Sequence, residues 1–220
     1  MKQLMITALF SFFLLSANAQ TGVVYTFTFR IDDELTTQLK VQSKEHKILN
    51  ISTVEDMPKE LSDTILLITE QMLGASLGSE LISMVPEEKM VMAALPEHLM
   101  YLPANRFKKA VETYDSLDLF VNIDCHIAAS GGVKVTLGNN SRSKVKPKLR
   151  LIIKTFDKSK TLLEKKEVTL KDFEKLRSRT FEKTYGISSL NTNEVTESET
   201  LNANDVLRMY VMGLEELLLQ

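Results

Sequence analysis

The sequence predicts an α+β protein, an antiparallel sheet packed against two or more helices, following an N-terminal signal peptide. Three observations carry that expectation. Leu119–Ile127 alternates Leu119, Val121, Ile123, Cys125 and Ile127 against Phe120, Asn122, Asp124 and His126, the pattern of a strand with one buried face. Residues 60–85 change to a period of three and four, with Leu61, Ile65, Ile68, Met72, Leu77, Leu81 and Met84 on one stripe. Ala203–Leu219 does the same with Val206, Leu207, Tyr210, Val211, Leu214, Leu217 and Leu218, and Asn202 or Asn204 is placed to cap its first turn.

The chain opens Met1-Lys2-Gln3, continues with an apolar run from Leu4 to Leu15 and reaches Ala17-Asn18-Ala19. A positive start, a short apolar centre and small residues at a cleavage site predict an export signal over residues 1–19, removed before Gln20. The apolar run of about a dozen residues falls short of the ~20 that span a bilayer, so no transmembrane segment is expected in the mature chain. The remaining residues 20–220 fit one domain, with room for a small N-terminal lobe at 20–60 and a flexible loop at 186–201. The only cysteine is Cys125, which excludes an intramolecular disulfide and suits a bacterial exported protein with an adequate core. The expected location is periplasmic or secreted.

In order, Val23–Ile31 reads as a strand rich in β-branched and aromatic residues, followed by shorter strands at Gln38–Val41 and 47–51. The helical stripe of 60–85 breaks near Gly74. Pro103 suits the first turn of a helix carrying Phe107, Ala110, Val111 and Tyr114 inward, which feeds directly into the strand at Leu119. Val133–Leu137, Leu149–Phe156 and Glu164–Leu170 supply further strands, the last two joined by the polar Asp157–Lys160 turn. Asp172–Phe181 is predicted helical and Gly186–Thr200, poor in apolar residues, a loop. The order helix, strand, basic hairpin, polar insertion, terminal helix over residues 103–219 looks loosely like soluble auxiliary components of bacterial envelope transport and assembly systems, through element order and no motif.

No motif for a nucleotide, a metal or another cofactor is present: the sequence has no Cys-x₂-Cys, no Gly-x-Gly-x-x-Gly and no phosphate-binding Gly-x₄-Gly-Lys-Ser/Thr. His46, His98 and His126 form no metal-ligand spacing. Asn122, Asp124 and His126 share one strand face, and a carboxylate two residues from an imidazole makes Asp124 and His126 the candidate catalytic pair of a hydrolase or metal-binding enzyme. Cys125, on the opposite face, is expected to be a buried thiol.

Between Cys125 and Phe156 there is no acidic residue but seven basic ones, in a chain whose net charge is only -2. Lys144, Lys146, Lys148, Arg150 and Lys154 share one strand parity and form a candidate anion- or partner-binding strip. Pro147 argues that its strand lies at an edge or begins after it. Nucleic acid is not expected, because stacking aromatics are not interleaved with the basic residues. The predicted role is a non-enzymatic binding or assembly module of the cell envelope. Its partner is another envelope protein or an anionic surface or polymer.

Overall fold

A computed structural model describes residues 22–42, 48–52, 59–83, 110–184 and 192–219. The predicted signal segment, most of the helix expected after Pro103 and the Met-rich tract before it lie outside those residues. The elements are β1 (Val23–Ile31), β2 (Thr37–Gln42), β3 (Ile48–Ser52), α1 (Lys59–Leu77), β4 (Leu81–Ser83), β5 (Leu119–Leu137), β6 (Asn140–Asp157), β7 (Leu162–Leu170), β8 (Leu176–Thr184), β9 (Thr192–Ser198) and α2 (Ala203–Leu218). The strands form one sheet in the order β3-β2-β9-β8-β6-β5-β1-β4, with β7 paired to β6 beside β8.

This architecture corrects the expected fold class. The fold is mostly a curled, mixed sheet that makes a half-barrel, not an antiparallel sheet packed against helices. β1 runs parallel to β5 from Val24↔Phe120 to Ile31↔Ile127, and parallel to β4. Parallel neighbours need a long crossover, and the chain between β1 and β5 is ample for one. Alternation reveals which face a side chain takes and is silent on strand direction. Among the described residues, α1 and α2 roof one face of the sheet, while the helical residues from Ala110 pack on the opposite face against Val24 and Phe120. On the first face Tyr25, Phe27, Phe29, Ile123, Leu149 and Leu151 meet Val206, Met209, Tyr210, Leu214 and Leu217 of α2 and Leu61, Ile65 and Leu73 of α1. Tyr210 stands edge-on to Phe27 at 5.9 Å and shares a 2.5 Å hydrogen bond with Thr69 of α1. Asn202 caps α2 reciprocally with Asp205, as its sequence position predicts.

Pro147 lies inside β6, not before it. It stands between Val145, where pairing to β8 ends, and Leu149, where pairing to β7 begins. A residue with no N–H is tolerated where a strand changes partner. β5 is a single long strand bent by an irregularity between Ser130 and Val133, with Gly131 at φ +56°. This is a bulge position that glycine occupies without strain. Two expectations fall with the curl. Residues 176–184, predicted within a helix and its tail, are β8, and Thr192–Ser198 of the expected loop is β9.

Candidate functional site

The site is built where β5 leaves β1. Asp32 follows the last residue of β1; its Oδ2 accepts the Ala129 N–H at 2.8 Å and its Oδ1 lies 2.8 Å from His126 Nε2. Beyond Ala129 the outer edge of β5 has no strand neighbour among the described residues. The Gly131 bulge then turns the β5–β6 hairpin away from the helix-covered core, and the two-residue turn after Leu137 uses Gly138 at φ +60°.

Pairing register fixes what this arm presents. Val133↔Lys144, Val135↔Arg142, Arg142↔Arg179, Lys144↔Arg177, Arg179↔Glu197, Leu39↔Glu197 and Leu39↔Ile51 are directly opposed, so all project from the same sheet face. The sheet curls around that face and encloses a trough of about 1730 Å³, with β3 on one side and the tip of β5 on the other. Val133, Val135 and Leu137 line it while 71%, 55% and 78% exposed, so these aliphatic side chains are not core. The other face of the same arm carries hydroxyl pairs, Ser143 with Ser178 at 2.6 Å and Thr180 with Thr196 at 2.8 Å.

Electrostatically the trough is basic. Arg142, Lys144, Lys175, Arg177 and Arg179 line it against Glu197 and Glu199. Arg179 is committed: its Nε donates to Glu197 at 2.8 Å and its guanidinium lies 5.2 Å from the Phe181 ring centre. Glu199 accepts the backbone N–H of Arg177. Arg142, Lys144 and the Arg177 guanidinium have no acidic partner among the described residues. Exposed cations therefore stand beside aliphatic side chains inside a concavity that focuses their positive field.

The predicted basic strip runs along the same face of β6, but its members diverge. Lys144 lies in the trough; Lys146 approaches Asp172 at 3.6 Å, and Arg150 donates to Glu167 at 2.7 Å. Hydrogen bonds from Arg150 first and Lys165 second hold the Glu167 carboxyl down at about 2. Lys148 and Lys154 make no ion pair among the described residues.

Asn122, Asp124 and His126 do share a face, yet each turns to β1 or its end and not to another member of the trio. Asn122 Nδ2 donates to Thr26 Oγ1 at 2.9 Å, Asp124 lies 3.5 Å from Arg30, and His126 meets Asp32. Arg30 Nε and Asp124 Oδ1 are buried without hydrogen-bond partners. Neither Asp124 nor His126 lines the trough. Among the described residues no three His, Cys, Asp or Glu side chains gather as a metal site requires. Cys125 is buried on the far side of the sheet, where burial, with a smaller push from the Asp124 charge, raises its thiol well above the usual range. That disfavours the nucleophilic thiolate.

Sequence reasoning missed Arg177, Arg179, Phe181 and Glu197, because β8 and β9 are polar on both faces apart from Leu176, Phe181 and the buried Val195 and show no apolar alternation. The β-branched Thr180, Val195 and Thr196 were the available signal.

No protein-family model matches the chain, and no curated protein matches it. Among solved structures, a "putative neuraminyllactose-binding hemagglutinin homolog" from Helicobacter pylori is similar with a TM-score of 0.39 and 11% identity, over 91% of this chain and 83% of that one. No helix among the described residues is long and apolar enough to cross a membrane.

Proposed function

We propose that this protein is an exported, non-enzymatic binding or assembly module of the bacterial cell envelope, and that it holds an anionic envelope partner in the trough. One observation carries the reading: Arg142, Lys144 and Arg177 lie in the concavity without acidic partners among the described residues, beside the exposed Val133, Val135 and Leu137. A surface shaped only for solvation spreads its charges and covers its aliphatic side chains. Export is supported by Lys2, the Leu4–Leu15 run and Ala17-Asn18-Ala19. The alternative, a hydrolase or metal-binding enzyme on Asp124 and His126, has less support, since both side chains are engaged by Arg30 and Asp32 outside the trough.

Titration of fluorescent polyglutamate into the mature protein at about 0.05 and 0.3 M salt tests the reading, because exposed charges are screened within about 10 Å at 0.1 M. Binding that weakens steeply with salt is expected. No binding at the lower salt contradicts an anion-binding trough.

A further inference from the structure

We infer that the anionic partner enters the trough as an extended peptide that adds a strand to the free edge of β5 at Gly131–Leu137. This rests on the anion-binding reading above and specifies how the partner is held. The edge is released by a defined device. β1 stops pairing at Ile31↔Ile127, Asp32 takes the Ala129 N–H, and no described strand continues along β5. Backbone donors and acceptors on such an edge are a template for another chain. Protective features are sparse: Lys134 is the lone charge from Gly131 to Leu137 and belongs to the face opposite Val133, Val135 and Leu137.

Charge selects the occupant. A second copy of this chain would bring a second basic trough against the first. An acidic strand is complementary. Placed beside β5, its trough-facing residues lie two strand spacings, about 9–10 Å, from the row of Arg142 and Lys144. Glutamate reaching across Val133 and Val135 meets those long basic side chains at that separation. A second edge among the described residues, that of β3, bounds the same trough with Ile51 and exposes Ile48 and Leu49 as well. Among the described residues, the edge of β3 and the outer edge of β5 beyond Ala129 both border the trough, and the charged floor lies between them.

The test uses the full mature protein and a blocked peptide of alternating Glu and Val, about eight residues long to match the free edge. Two further versions carry N-methyl groups, one on every Glu amide and one on every Val amide. Only alternate amides of an added strand face β5. Methylation of one set is therefore expected to weaken binding about tenfold or more while the other set binds nearly as the parent. The parent peptide is also expected to slow amide hydrogen exchange across 131–137. Equal affinity for all three peptides, equal loss from both methylated ones, or unchanged exchange at 131–137 overturns strand addition. If salt-sensitive polyglutamate binding persists in those cases, the anion-binding trough stands without it. Binding of phosphatidylglycerol vesicles with no peptide binding makes the occupant a lipid and also overturns the inference. Failure of every anionic probe at low salt overturns both readings.

Discussion

His126 Nε2 lies 2.8 Å from Asp32 Oδ1, while the other oxygen of that carboxylate accepts the Ala129 N–H at 2.8 Å. One side chain thus anchors a histidine on β5 and ends the pairing of β1 with that strand. Asp32→Ala removes both partners and is expected to cost about 1–3 kcal/mol, since a partly buried donor loses its acceptor. Urea unfolding measures the cost, and hydrogen exchange at Ala129 should accelerate. A change within about 0.5 kcal/mol, ordinary for surface substitutions, would mean that Asp32 is not structural.

Gly213 is required by close approach. A Cβ there would fall 2.2 Å from Leu149 Cδ2 in the packed layer between α2 and β6. Alanine improves helix propensity by about 1 kcal/mol, but overpacking a core costs about 1–3, and a contact this short makes the second effect win. Gly213→Ala is therefore expected to lower stability. Leu149→Val in the same chain should recover part of the loss, a coupling that a double-mutant cycle reads directly.

Cys125 is fully buried among Ile123, Ile127 and the helix-facing core. Native protein should react slowly with a thiol reagent and unfolded protein fast. Cys125→Ala should cost about 1–2 kcal/mol through a small cavity and leave polyglutamate binding unchanged. Rapid native labelling contradicts the burial.

Glu167 bridges Arg150 and Lys165 at the surface, and its carboxyl titrates at about 2. Because the folded value lies below the ordinary one of about 4.3, the pair contributes stability above that pH and loses it as pH falls through 2. Carboxyl-carbon NMR should show Glu167 still ionised at pH 3.5, with Arg150→Ala raising its midpoint. A midpoint near that of a free glutamate contradicts the bridge.

The parts of the fold legible in the sequence are those with strong residue-type periodicity or capping signals, β1 among them although both its faces are largely buried. β1 over Val23–Ile31, the alternation from Leu119, and α2 with its Asn202 cap all follow from periodicity and capping chemistry. β8 and β9 were hidden because the half-barrel leaves both their faces at least partly open, so Arg177, Arg179 and Thr180 alternate polar with polar. The parallel partnership of β1 and β5 was hidden because alternation carries no direction. The basic run from Lys144 was legible as composition. Its division into trough, where Lys144 lies, and paired surface, where Lys146 and Arg150 meet Asp172 and Glu167, depends on contacts distant in sequence.

That division allows the most direct test of the central claim, that the trough and not the whole basic strand binds the anionic partner. Two triple variants carry the same change in net charge: Arg142→Glu, Lys144→Glu, Arg177→Glu inside the trough, and Lys146→Glu, Lys148→Glu, Arg150→Glu along β6. Circular dichroism and urea unfolding establish that both fold. Polyglutamate affinity at about 0.05 M salt is then compared with that of the unaltered protein. A loss of about tenfold or more is expected for the trough variant and a much smaller one for the strip variant, since position as well as net charge sets the interaction. Equal losses from the two variants, or a larger loss from the strip, would contradict that claim.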